Sequence, residues 1–379
     1  MPDNQQFPHD PEIVYLNHAG VSPWPKCASE AVKNFASECA ERGAADYPSW
    51  ITVETRLRQR LARLMGGFSE DDIALIPNTS AGLSSIAFGF DWRAGDEVVI
   101  NDHEFPSNRW VWESLQSRFG VKVKQVCLDS ATTPEDALVN AFTEKTRLLP
   151  VSSVQYGSGL RMDLDRLASA CREYDVTLCI DAIQSLGARR FNAAAADCIV
   201  ADGHKWMLGP EGLGAMYIAP ELRDRLNLQQ IGWHMVEHLG NFNREDWQPA
   251  RSARRFEPGS PNLLGAHALE ASLGLIEMIG IDQIEQDVLT NAKLNFELAS
   301  ERGYELVTPT NTDRHAGIVT FRIPGIDAIE LLAQLRSSGV ACAERCGGIR
   351  FSAHFYNTRE DLQEAWRRLD NCVERLRRT

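Results

Sequence analysis

The stretch DCIVADGHKWMLGPEGLGAMYIA, residues 197–219, decides how this chain folds. Two short apolar runs, 197–203 and 214–219, flank a polar turn carrying His204, Lys205, Gly209, Gly212 and Gly214. The runs are unbroken rather than alternating, which suits strands of a sheet buried on both faces. Working outward, the same texture recurs in DEVVIN (96–101), VKVKQVCL (121–128), TRLLPVSS (146–153) and VTLCID (176–181). Between these lie helical stretches such as NRWVWESLQSRFG (108–120) and LDRLASACREYD (164–175); in the second, Leu164, Leu167, Ala168 and Cys171 share one face. Strands alternating with helices predict an α/β fold with a mainly parallel sheet.

After about residue 250 the texture changes. A polar segment leads into a long helix, followed by a helix over 282–302, an extended GIVTFRI (317–323), a helix over 326–338, a short IRFSA (349–353) and a charged final helix. This predicts a smaller α+β domain. A chain of 379 residues is long for one core. The expected division is an N-terminal segment 1–20 over the active site, a large domain 21–255 and a small domain 256–379.

The net charge of −13 argues against a dominant nucleic-acid role, since phosphate backbones want a basic face. The nine cysteines are scattered without a C-x-x-C pair, which predicts a reducing, cytoplasmic setting and no zinc site. The opening MPDNQQFPHDPEIVYLNHAG has neither a basic start nor an apolar core, so no signal peptide is expected. No run reaches membrane-spanning length.

Lys205 follows a buried strand, where a charged, unpaired amine is costly. Its pKa would fall there, making it a nucleophile for carbonyl chemistry. Taken alone, such a lysine more often snorkels to solvent. Its companions change the balance. Asp181 ends VTLCID and Asp202 ends the next run, and ligands of open parallel sheets bind outside the carboxyl ends of strands. A buried amine and a buried carboxylate in one crevice are what pyridoxal phosphate needs: a Schiff-base lysine, and an acid that keeps the pyridine nitrogen protonated. Asp181 could equally cap a helix over AIQSLGA. IALIPNTSAGLSSIAFGF (73–90) offers a seat for the phosphate, with Asn78, Thr79 and Ser80 at the start of a helix whose first N–H groups lack internal partners. The glycines after Lys205 allow a tight return of backbone beside a ligand.

The set HKWMLGPEGLG, CIDAIQSLGA, EFPSN, SSVQYGSGLRMDL, EPGSPN and IRFSAHFYNTRED resembles the class V aminotransferase family over nearly the whole chain and in the same order. The resemblance extends to cysteine desulfurases and isopenicillin N epimerase-like proteins. It implies a fold type I pyridoxal phosphate enzyme, with a large domain on a seven-stranded-type, mainly parallel sheet. It also implies roles. Lys205 would hold the cofactor, Asp181 would pair with its ring nitrogen, and Gln184 would bond its ring hydroxyl. Thr79, Ser80 and His204 would contact the phosphate. Phe105 would stack on the ring, with His103 as the weaker alternative. Gln155 would sit near the ring hydroxyl and substrate carboxylate, with Asn108 supporting the site. Gly259 and Ser260 would reach the phosphate of a neighbouring subunit in a homodimer. Arg350 would clamp an amino-acid carboxylate, with Asn17 and His18 at the entrance; His354 and Asn357 would form a structural turn.

The implied chemistry is proton movement at the α-carbon of an amino acid, most readily transamination, with desulfurase, C–S lyase or epimerase outcomes as alternatives. A non-catalytic cofactor-binding scaffold or regulator is the reading from another class, and the intact Lys205, Asp181 and Arg350 argue against it. Cys342 and Cys346, in VACAERCGGIR (340–350), invite comparison with a desulfurase nucleophile. Cys346 stands so close to Arg350 in sequence that the long desulfurase loop is missing, so incidental small residues are expected.

Overall fold

A computed structural model of the protein describes residues 6–8, 10–192 and 195–378. At its centre is a seven-stranded sheet in the order Ile73–Ile76, Gly214–Ile218, Cys198–Asp202, Thr177–Asp181, Thr146–Ser152, Glu97–Asn101, Lys122–Val126. Every strand expected from the apolar runs lies in it. Four of the pairings are parallel, and Gly214–Ile218 runs antiparallel to both neighbours. The connection 203–213 explains that reversal: it is too short for the crossover that a parallel return requires. Close packing there demands glycine. A Cβ on Gly214 would stand 2.4 Å from the Ala201 carbonyl oxygen, and Gly212 has φ +83°.

A second, antiparallel sheet of four strands follows the order Ala343–Arg345, Gly348–Ser352, Ile318–Arg322, Glu305–Leu306. Helices Ile281–Glu301, Ala328–Ser337 and Arg359–Arg378 cover it, and its core gathers Phe321, Phe351 and Trp366. Buried Trp366 places its indole N–H 2.8 Å from the Asn295 side-chain oxygen, so the ring can be enclosed without an orphaned donor.

Two departures from the sequence expectation have structural causes. Helices Lys26–Arg42 and Tyr47–Leu64 went unassigned from sequence; both pack on the long helix Leu263–Ile279. That helix is apolar on nearly all sides and sends Ala266, Leu269, Leu273 and Ile276 into the core beneath the central sheet. The stretch AIQSLGA forms turns rather than a helix, so Asp181 caps no helix. Its Oδ1 instead accepts the Ile183 N–H at 3.0 Å.

The N-terminal segment expected over 1–20 begins outside the described residues. Within them, Val14–Tyr15 pairs in parallel with Val340–Ala341, and the His18 amide donates to the Ser352 carbonyl. No single helix among the described residues is long and apolar enough to cross a membrane.

Candidate active site

Three adjacent strands end side by side at Ser152, Asp181 and Asp202, and helix Thr79–Gly89 starts at the same edge. Their ends frame a cavity of about 290 Å³. Lys205, Asp181, Thr79, Ser80, Phe105, Gln184, His204 and Arg350 all line it. Residues as far apart in sequence as Thr79 and Arg350 therefore share one chamber. Asp202, Ser107, Tyr156 and Arg345 line it too, and none of these was named as a site residue from sequence.

Lys205 and Asp181 are both buried. Burial pushes the Lys205 amine down to about 8, against the pull of the nearby Asp181 carboxylate. The same loss of solvent pushes Asp181 up to about 7, although the Ile183 amide and Lys205 favour its charged form. Burial thus works against the charged form of each group, and each charged form is favoured by the other. Lys205 Nζ stands 5.6 Å from the centre of the Phe105 ring, which also meets Tyr156 edge-on at 5.0 Å. Phe105, not His103, faces the chamber.

The other end of the chamber is rich in hydroxyls and helix-start amides. Asn78 caps helix Thr79–Gly89, its Oδ1 accepting the Ala81 N–H at 2.9 Å. The Ser80 hydroxyl donates to Ser107 at 2.8 Å. Thr79 Oγ1 accepts the Asp202 amide, which ties the helix start to the strand end. His204 Nδ1 lies 3.1 Å from Asp202 Oδ1. A helix start with clustered hydroxyls is an anion seat.

Beneath the chamber lies Glu104, a buried carboxylate that sequence reading passed over although it opens the EFPSN motif. Its two oxygens accept from Asn101 Nδ2, the Ser152 amide and hydroxyl, Gln155 Nε2 and Asn108 Nδ2. Gln155 is fully buried in this network and does not line the chamber; its Oε1 has no partner. Asn108 joins the same network and also accepts the Trp112 indole N–H at 3.0 Å. Glu104→Ala is expected to destabilise the protein by about 3 kcal/mol, because it strands several buried donors. A fall in the urea midpoint at constant slope checks this.

Gln184 is held on both sides, donating to the Ala19 carbonyl at 3.0 Å and accepting from the Trp206 indole at 2.8 Å. Trp206 in turn offers its carbonyl to His354 Nε2 at 3.0 Å. Burial pushes His354 down to about 4, so it stays neutral, and its amide is bonded to Asn357 Oδ1. His354 and Asn357 therefore brace the backbone beside Lys205.

Arg350 is 1% exposed. Its guanidinium donates to the Tyr156 carbonyl at 2.7 Å and to Asn17 Oδ1 at 3.2 Å, while its Nε has no partner. Burial, and then the neighbouring Arg345, push Arg350 down. No carboxylate among the described residues pairs with it. Asn17 thus steadies Arg350 rather than lining the chamber.

His18 departs from expectation. It does not line the chamber; its ring nitrogens meet the Ser352 carbonyl at 2.8 Å and the Tyr356 hydroxyl at 2.6 Å. The turn after strand Gly348–Ser352 draws it into an aromatic cluster with Trp206 and His354. Gly259 and Ser260, expected to serve a neighbouring subunit's site, line a separate cavity of about 720 Å³ in this chain.

The family model for class-V aminotransferases matches residues 14–364. This chain belongs to the class-V aminotransferase family. It is 27% identical to a probable cysteine desulfurase of Pyrococcus abyssi, with 98% of this chain and 97% of that protein covered. It is 28% identical to the isopenicillin N epimerase of Streptomyces clavuligerus over 95% of each. Among solved structures, it matches a C-DES variant with glycine covalently linked to its pyridoxal phosphate, at TM-score 0.91 and 22% identity, covering 97% and 99% of the two chains. It also matches an apo cysteine desulfurase of Thermococcus onnurineus, at TM-score 0.84 and 24% identity over 96% of each. These likenesses establish the expected α/β, fold type I architecture for this class-V chain.

Proposed function

We propose that this class-V protein is a pyridoxal phosphate-dependent enzyme that acts at the α-carbon of an amino acid, and that it is an aminotransferase. The observation that carries this is the meeting of Lys205, Asp181 and the Thr79–Ser80 helix start in one chamber, with an Arg350 that lacks an anion. The residues present fit the cofactor: an amine of depressed pKa, a carboxylate whose charge wants a cation, a hydroxyl-rich helix start and an aromatic face. Bound there, pyridoxal phosphate supplies an electron sink for negative charge at Cα. Lys205 would hold the cofactor, and its amine would serve as the base that moves the Cα proton of a bound substrate. Asp181 favours a protonated ring nitrogen. Thr79, Ser80, Ser107 and His204 seat the phosphate, Phe105 covers a ring face, and Gln184 directs its remaining amide proton to the ring hydroxyl.

Arg350 binds the substrate carboxylate through a pair of donors. Arg350→Gln is expected to raise KM for amino acids by about 100-fold with a smaller change in kcat. Steady-state kinetics check this; an unchanged KM removes Arg350 from the role.

The second reading is C–S lyase or desulfurase chemistry, favoured by the names of the relatives. Cys346 weakens its persulfide form. It occupies a two-residue hairpin turn with Gly347, at φ +54° and +71°, and burial pushes its thiol up. A nucleophile on so short a turn has little reach. The deciding experiment adds single L-amino acids, including cysteine, to the purified protein and follows its visible spectrum. Bleaching that a keto acid reverses marks a transaminase. A persistent band with sulfide release marks a lyase, and with sulfide release lost in Cys346→Ser, a desulfurase.

We further infer a cytoplasmic homodimer. All nine cysteines are free. Ile231, Trp233, Phe242 and Trp247 are exposed in the segment leading to Gly259 and Ser260, an apolar surface that a second copy would cover. Arg58 anchors this segment by bonding both oxygens of buried Glu257, whose Oε1 also accepts the Leu75 amide. The core of the large lobe takes in Leu269, Leu273 and Ile276 of helix Leu263–Ile279 as well as Ile284 and Val288, which supports a lobe boundary later than 255.

A further inference from the structure

We infer that the substrate carries a second negative group on its side chain, and that Arg345 binds it. This rests on the proposed amino-acid chemistry at Lys205. The chamber holds two guanidinium groups, Arg345 and Arg350, from neighbouring strands of one hairpin. Each has a buried Nε without a partner. Neither forms an ion pair among the described residues. Arg345 donates only to the carbonyl of adjacent Glu344, at 2.6 Å, and lies 5.7 Å from the centre of the Tyr156 ring. The chamber's carboxylates do not reach these arginines: Asp181 accepts the Ile183 amide, and Asp202 Oδ1 lies 3.1 Å from His204 Nδ1 without a hydrogen-bond partner of its own.

An amino acid brings one carboxylate, which Arg350 takes. With a neutral side chain, Arg345 would remain charged and unpaired beside Lys205 and Arg350 as bound substrate displaced water. Both guanidiniums already disfavour the charged form of Lys205. A second anion on the substrate relieves that repulsion and fills the open donor fork of Arg345. The chemical class is therefore an α-amino acid with a distal carboxylate, sulfinate or sulfonate. Its length distinguishes a short side-chain acid from the far carboxylate of a disulfide-linked diamino acid.

The holoenzyme is assayed with aspartate, glutamate, cysteine sulfinate and cystine, each beside a neutral counterpart: asparagine, glutamine, cysteine or methionine. At least one anionic substrate is expected to exceed its counterpart in kcat/KM by about 100-fold. Arg345→Gln should bring that ratio close to 1, whereas Arg350→Gln should lower kcat/KM for both members of the pair. Calorimetry supplies a readout independent of turnover: succinate should bind more tightly than propionate to the wild-type holoenzyme, and Arg345→Gln should remove the difference. A wild-type preference for neutral amino acids, or a ratio that Arg345→Gln leaves unchanged, overturns the inference. Absence of any bound-cofactor spectrum would instead overturn the reading of Lys205, so the two failures are distinguishable.

Discussion

Lys205→Ala is expected to abolish the borohydride-trapped adduct between the protein and pyridoxal phosphate, and to lower kcat/KM by about 10⁴-fold. The size follows from the loss of two roles in one side chain, attachment and proton transfer. Folding should survive, because the amine is buried at a cost that its removal relieves. Lys205 is the one buried lysine among the described residues. A neutral amine is the reactive form, and burial lowers its pKa to about 8 from 10.5. Covalent capture of the cofactor by apo-protein should therefore rise with pH and level off just above 8. An ordinary lysine would keep gaining reactivity toward 10.5. Peptide mapping of the reduced adduct checks the site, and an adduct on another lysine ends the assignment.

Asp181→Asn is expected to lower kcat by about 10³-fold while leaving the covalent adduct intact. Asparagine has nearly the same shape and its side-chain oxygen can still accept the Ile183 amide. What it loses is negative charge. Asp181 is buried and pushed up to about 7, so its ionised form depends on a cation in the chamber. A protonated ring nitrogen of a bound cofactor would provide that cation, and asparagine would not stabilise it. Thermal stability should hold or rise, since a costly buried charge is gone. A variant within about threefold of wild-type kcat would show that Asp181 does not tune the cofactor.

Much of this candidate site is legible in the sequence. Lys205, Asp181 and Thr79–Ser80 each stand where a strand ends or a helix begins, and a local pattern of apolar runs and polar turns marks such ends. Phe105, Gln184 and Arg350 came with the family resemblance rather than from periodicity. Glu104 was missed for a physical reason. A glutamate in a polar turn looks solvated until five donors from Asn101, Asn108, Ser152 and Gln155 are seen to converge on it. Arg345 was missed likewise, being one of several arginines in a charged C-terminal region. His18 lies off the chamber because its partners, Ser352 and Tyr356, are more than 300 residues away in the sequence.

By itself, then, the sequence determined the elements: which runs are strands buried on both faces, where they stop, and that a lysine and an aspartate follow two of them. Those properties depend on neighbours within a few residues, through backbone geometry and the burial of alternate or continuous apolar side chains. Only the tertiary structure decided strand order, the convergence on Glu104 and the pairing of Arg345 with Arg350 in one chamber. These depend on contacts between distant segments, whose strength is set by packing and by the removal of water around buried charge. No local window of residues contains that information.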